Sequence, residues 1–266
     1  MKQSTLLNEI SQLDKELKEI RKQVLINVIT EGVDDPGIFK CIFLAGGPGS
    51  GKGYIAKEVF GVNDIGKFAP SGLKVVNSDN AFETELKKNG IDPKDLAKIE
   101  KEDPELWDKI QGKSPESIRN VAKRITSTQK KFYEAGRLGM IIDGTGHDYD
   151  KIKKLKDHAE NLGYDCFMVF VNTSLEVAKE RNLQRSRTIP EKVLVDSWKA
   201  CQENLGKFQQ LFGGAHFRIV DNSIKGVKPS DVTKEAAGFL RQTIYNPIAK
   251  KWIATARALK TKGIIK

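Results

Sequence analysis

The chain has 266 residues, with 45 Lys and Arg against 35 Asp and Glu, giving a formal net charge of +10. Hydrophobic residues make up 39% and charged residues 30%, an ordinary globular balance for one sizeable α/β domain with extensions or two small domains. No apolar run approaches the roughly 18 residues of a membrane span, and the polar N-terminus does not read as a signal peptide, so no membrane association is expected and the cytoplasm is the expected compartment.

The positive surplus favours polyanionic partners or phosphorylated substrates, and it is equally compatible with a solvated lysine-rich surface. Cys41, Cys166 and Cys201 form an odd set without CxxC spacing, which fits a reducing compartment. None of the three histidines stands at metal-ligand spacing with a cysteine, which argues against a structural zinc site.

Residues 1–31 are predicted to be an amphipathic helix, because Leu6, Ile10, Leu13, Leu17, Ile20 and Val24 recur at steps of three and four. Such a stripe either packs on its own domain or pairs as a short coiled coil, through which a homo-oligomer would form. Pro36 and Gly37 then break the helix. Residues 38–242 alternate strands and helices. Strands are predicted at 39–45, at 73–79 with Asp79 at its end, around 138–146, around 164–173 and at 216–223. Helices are predicted at 52–60, 118–136, 174–187 (with Ser174 as its cap) and 190–212, the last carrying the stripe Leu194, Trp198, Cys201, Leu205, Phe208 and Phe212.

A polar, Pro- and Lys-rich helical insertion is expected at 89–115, and a basic helix at 246–266, a stretch without a single acidic residue. That helix either lies on nucleic acid or another acidic partner, or docks on the domain with its lysines solvated. Apolar strands alternating with helices predict an α/β three-layer sandwich with a five-stranded, mainly parallel sheet and helical extensions at both ends.

The most specific signal is "GGPGSGKG", in which Gly46, Gly51 and Lys52 fit G-x-x-x-x-G-K between an apolar strand and a helix. Glycines let the backbone wrap around phosphates and aim its amides at them, the helix brings its positive end, and the lysine reaches the β- and γ-phosphates. Gly46, Gly47, Pro48, Gly49, Ser50, Gly51, Lys52, Gly53 and Tyr54 are therefore the expected nucleotide cradle, with ATP as the ligand. Gly53 stands where a Ser or Thr hydroxyl usually holds magnesium. The loop resembles that of adenylate kinases, which also have glycine there; their next residue is threonine, whereas here it is Tyr54. The resemblance implies that Mg²⁺ is held through waters and acidic side chains.

Ligands of parallel sheets gather at the carboxyl ends of the strands. Asp79 is a candidate base for an acceptor hydroxyl and a magnesium partner, or else a cap for a helix from residue 81. Asp143, followed by Gly144 and Thr145, is a candidate for magnesium and the acceptor, or else builds a turn. Arg181, Arg185 and Arg187 form a candidate lid at 181–190, with the first two expected one turn apart on a helix face. There they would neutralise charge on a transferring phosphoryl group.

Over residues 39–223 these stations resemble the P-loop kinases grouped with zeta toxins and bacteriophage polynucleotide 5′-kinases. The resemblance implies a P-loop NTPase fold, a base at Asp79, acceptor contacts at Asp143 and Thr145, and lid arginines at Arg181 with Arg185 or Arg187. Adenylate kinases carry D-G-x-P-R after the third strand, where this chain has Gly146 and His147. That departure favours a free hydroxyl over a nucleoside monophosphate as acceptor. The expected function is an ATP-dependent kinase acting on a polynucleotide 5′-OH or a nucleotide sugar. A nucleoside monophosphate kinase and an ATP-binding module with little turnover stand as alternatives.

Overall fold

A computed structural model describes residue 33 and residues 37–62, 71–185 and 188–262. The expected N-terminal helix, the homo-oligomer it would form, Arg187 and the last four residues of the basic tail lie outside the described residues.

The sheet has five strands, β1 (Lys40–Gly46), β2 (Lys74–Val76), β3 (Met140–Asp143), β4 (Asp165–Asn172) and β5 (Phe217–Asp221), in the order β2-β3-β1-β4-β5. Every neighbouring pair runs parallel. Strand β1 is buried along its whole length, as expected of a central strand covered on both faces. Its side chains alternate between two cores. Cys41, Phe43 and Ala45 join Met168 and Phe170 on one face, while Ile42 and Leu44 join Val169 and Val171 on the other.

The second face is covered by α1 (Lys52–Phe60) and by α9 (Ser230–Arg241), through Ile55, Val59, Ala236 and Phe239. The first face is covered by α6 (Tyr149–Asn161) and α8 (Glu191–Phe212), with Tyr133 of α5 (Ile118–Ala135). The stripe expected on α8 is the buried one, with Leu194, Cys201, Phe208 and Phe212 inside. Full burial of each large apolar side chain contributes about 1.5–3 kcal/mol.

The insertion is a small helical lobe. A 3₁₀ turn (Pro93–Asp95) leads into α3 (Leu96–Glu102) and α4 (Pro104–Gln111), started by Asp103, whose carboxylate accepts from Leu106 N. These pack with α2 (Ser78–Lys88) and α5 around a third cluster built on Phe82, Leu86, Leu96, Ile110 and Ile118.

The basic helix α10 (Pro247–Thr261) docks on the domain through Ala249 and Ala256, with the Trp252 ring edge-on to Phe39 at 5.4 Å. Its entry is tied to the start of β4, where the Asp165 carboxylate accepts from Tyr245 N and Asn246 N, both at 3.1 Å. Phe39 precedes β1 and Asp165 opens β4, so α10 sits at the amino ends of these strands. The phosphate loop leaves the carboxyl end of β1, about 20 Å away along a seven-residue strand.

Candidate functional site

Residues 47–51 form the loop between β1 and α1, flanked by Gly46 at the strand end and Lys52 at the helix start. Gly51 has φ 82, a left-handed conformation, and a β-carbon there would collide with Asn222 Nδ2. Gly49 has φ 75, and a β-carbon there would run into the backbone of Ala178 in α7 (Leu175–Leu183), so α7 lies directly on the loop. Lys52 Nζ donates to the carbonyl oxygens of Gly46 at 2.8 Å and Gly47 at 3.5 Å, which folds the ammonium back over the loop. Helix α1 has no side-chain cap and no acid in its first turn, so its amino end is left positive.

The loop is braced from three sides. Asn222, just after β5, donates from Nδ2 to Ser50 O at 2.8 Å. Tyr54 donates from its hydroxyl to Val227 O at 3.0 Å, which turns it toward the β5–α9 connection. Cys201 of α8 sits beneath, its Sγ within van der Waals reach of β-carbon positions on both Gly47 and Gly146. Burial pushes the Cys201 thiol up to about 11.

Asp79 departs from its expected place. Strand β2 ends at Val76, and Asp79 lies in the first turn of α2. The cap is Asn77, whose extended backbone and side-chain oxygen, accepting from Asp79 N at 2.7 Å, start the helix before residue 81. The Asp79 carboxylate pairs with Arg119 of α5, whose Nη1 lies 2.8 Å from Oδ1, and Arg119 also lies over the Phe82 ring at 5.0 Å. Asp79 shares a groove with Glu83, Leu86, Leu96 and Arg185.

Asp143 ends β3. Its Oδ2 accepts from Asn77 Nδ2 at 2.7 Å, while its Oδ1 is buried without a protein partner. Burial raises its carboxyl above the ordinary carboxylate value; Lys52 opposes the rise, Asp79 adds to it and the Asn77 bond lowers it. Thr145 lines a cavity beside Asp143 with His147 and Lys151 and is exposed. Asn204 of α8 holds this turn, donating from Nδ2 to Gly146 O at 3.1 Å and His147 O at 3.0 Å.

The arginines divide. Arg181 directs Nη1 to Gly49 O and Ser50 O, each at a long 3.4 Å. Arg185 is not one turn further along the same helix face, because α7 ends at Leu183 and Gln184 caps it. Freed from the helix, Arg185 faces the Asp79 groove instead. Asn182 ties the end of α7 to residue 189, accepting from Ile189 N at 3.1 Å and donating to Ile189 O at 2.8 Å.

Lys52, Arg181, Asp79, Asp143 and Arg185 therefore converge at the carboxyl edge of the sheet, where the strand order reverses around β1. Arg119 and Asn204 carried no motif in the sequence, and Cys201 stood there only as a member of the apolar stripe on α8. Asn77 and Asn222 lie within the stretches 73–79 and 216–223 that were predicted as strands, and asparagine is a common helix cap.

Among the described residues no group of three or more His, Cys, Asp or Glu side chains is placed to hold a metal ion. The orphaned Asp143 Oδ1 still fits Mg²⁺ bound chiefly to phosphates and waters, an ion that keeps several waters readily.

A family model described as AAA domain matches residues 41–207. No curated protein matches the chain. Among solved structures, a chain from the PezAT chromosomal toxin–antitoxin system of Streptococcus pneumoniae is 15% identical, with TM-score 0.48, over 92% of this chain and 96% of that one. An AvrRxo1-ORF1:-ORF2 structure with ATP is 14% identical, with TM-score 0.47, over 80% of this chain and 63% of that one. Shikimate kinase from Acinetobacter baumannii in complex with shikimate is 13% identical, with TM-score 0.40, over 76% and 92%. At such identities a neighbour's activity does not carry over to this chain.

Proposed function

The chain belongs to the AAA-domain family, and on that premise we propose that it is an ATP-dependent kinase that transfers the γ-phosphoryl group to a hydroxyl acceptor. The convergence of Lys52, Arg181, Asp79 and Asp143 at one edge of the sheet carries this reading. Residues 46–54 take the triphosphate, with backbone amides and the amino end of α1 facing its charge. Asp79 accepts the proton of the acceptor hydroxyl, whose oxygen bonds the γ-phosphorus as the β–γ bridge breaks and ADP leaves. Arg181 and Arg185, with Arg187, neutralise the charge that builds on the transferring group. Asp143 and Thr145 contact the acceptor. When bound, Mg²⁺ neutralises charge on the phosphates, and Asp143 with Asp79 would hold it through its waters.

For the acceptor we propose a polynucleotide 5′-OH or a nucleotide sugar. The basic helix does not choose between them, because it is docked at the opposite edge of the sheet. Incubation with γ-labelled ATP and a panel of 5′-OH oligonucleotides, nucleotide sugars and nucleoside monophosphates tests the reading. Label is expected on one of the first two classes and is expected to disappear in Lys52→Ala. Bound ATP with no label on any acceptor overturns the kinase; label on a nucleoside monophosphate overturns the hydroxyl acceptor.

A further inference from the structure

We propose that the exposed face of α10 is a docking surface for the phosphate backbone of double-stranded nucleic acid, separate from the catalytic cleft. Helices elsewhere in the chain neutralise lysines with carboxylates one turn away: Lys130 with Glu134, Lys153 with Asp157, and Lys156 with Glu160. Helix α10 has no acidic residue at all, and residues 246–266 contain none. Lys250, Lys251, Arg257 and Lys262 are exposed, and no carboxylate among the described residues pairs with them.

Their arrangement is regular. At about 3.6 residues per turn, Lys250 and Arg257 share one row on the helix surface and Lys251 and Lys262 share another. The exposed residues between the rows include Ala254 and Ala258, which leave a shallow track flanked by cations. At about 1.5 Å per residue the track runs about 18 Å. A regular polyanion matches such a track, since short side chains on its floor let phosphates approach both rows. A lipid surface matches it poorly. Membrane-surface helices bury an apolar face in lipid, and here that face, with Ala249, Trp252, Ile253 and Ala256, is spent against the protein core.

Contacts of this kind position a nucleic acid without reading its sequence. Because α10 lies at the amino ends of β1 and β4, docking leaves the phosphate loop open. The surface is independent of the acceptor's identity: either reading survives failure of the other.

Fluorescence anisotropy of the full chain with a short labelled DNA duplex is the test, run from about 50 to about 200 mM salt. Expected is binding that an unrelated duplex competes away, with log K falling against log salt at a slope of about −3 to −4 for four phosphate contacts. The variant Lys250→Glu, Lys251→Glu, Arg257→Glu, Lys262→Glu is expected to lose at least about 30-fold in affinity, with ATP binding retained. Should that variant fail to fold, Lys250→Gln with Lys251→Gln decides, by reducing the slope by about two. Absence of duplex binding at the lowest salt, an unchanged slope in the folded variant, or binding only to phosphatidylserine vesicles overturns the proposal.

Discussion

Arg119 Nη1 lies 2.8 Å from Asp79 Oδ1, joining the first turn of α5 to the first turn of α2 across the mouth of the helical lobe. Forty positions separate the two residues, and Arg119 is held from behind by the Phe82 ring. The pair aims the proposed base, so Arg119 acts as a positioning residue.

Arg119→Ala is therefore expected to lower kcat by about 10- to 100-fold, the effect of removing one charge-assisted hydrogen bond of about 1.5–3 kcal/mol. Because the Asp79 side chain is 57% exposed, the loss of folding stability is expected to stay below about 1 kcal/mol. Steady-state kinetics beside a denaturant melt separate the two effects. A large stability loss with unchanged kcat would make the pair structural.

Gly53 is not required for space or conformation. A β-carbon there meets no atom within 4 Å, and its φ is not in the left-handed region. Gly53→Ser is expected to fold with a gain of about 0.5 kcal/mol from helix propensity. It would also restore the hydroxyl that phosphate loops commonly offer to magnesium. The Mg²⁺ concentration for half-maximal phosphoryl transfer should fall, and a rise would show that this loop is built around water-held metal.

Lys40 and Asp165 form a buried pair at 3.2 Å, 1% and 0% exposed, with Lys40 over the Phe239 ring at 4.6 Å. Burial pulls the Lys40 ammonium below its ordinary value. The partners are unequal, since Asp165 also accepts from Tyr245 N and Asn246 N. Lys40→Met leaves the carboxylate with two donors, whereas Asp165→Leu strands both backbone amides and a buried cation. Asp165→Leu is expected to cost about 3–5 kcal/mol or more and Lys40→Met distinctly less. Chemical denaturation measures both, and equal losses would refute the asymmetry.

His216 stacks on Tyr245 at 5.5 Å and meets Phe239 edge-on. Desolvation, reinforced by Lys40 and opposed by Asp165, holds its imidazole below the ordinary 6.5. The unfolded chain then binds the proton more readily. The contribution is fully present above about pH 6.5 and is lost as pH falls through the lower folded value. Melting temperatures from pH 7.5 to 5 should decline more steeply for the native chain than for His216→Gln; parallel curves would rule the group out.

The repeating alternation of apolar strands and helices, the glycine loop before Lys52 and the stripe on α8 were all legible in sequence. Each depends on local periodicity or on backbone freedom at one residue. Asn77 was not singled out as a cap, and Asp79, two residues on, was placed at a strand end with a helix cap as the alternative; the helix instead starts at Ser78, with Asn77 as its cap. Arg185 shared helical spacing with Arg181, and only the helix end at Leu183 sent the two side chains to different places.

Which residues face each other across the fold was decided by tertiary packing alone. Arg119 reaches Asp79 because the lobe core of Phe82, Leu86 and Ile118 lays α5 against α2. Asn222 and Tyr54 brace the phosphate loop because β5 lies beside β4. The basic composition of the C-terminal helix was plain from sequence, and its position was not. Trp252 on Phe39 and the Asp165 carboxylate on the helix entry place its charge at the amino ends of the strands, away from the phosphate loop. Charge and periodicity are local properties of the chain; the direction in which a docked helix presents its charge is set by contacts between residues far apart in sequence.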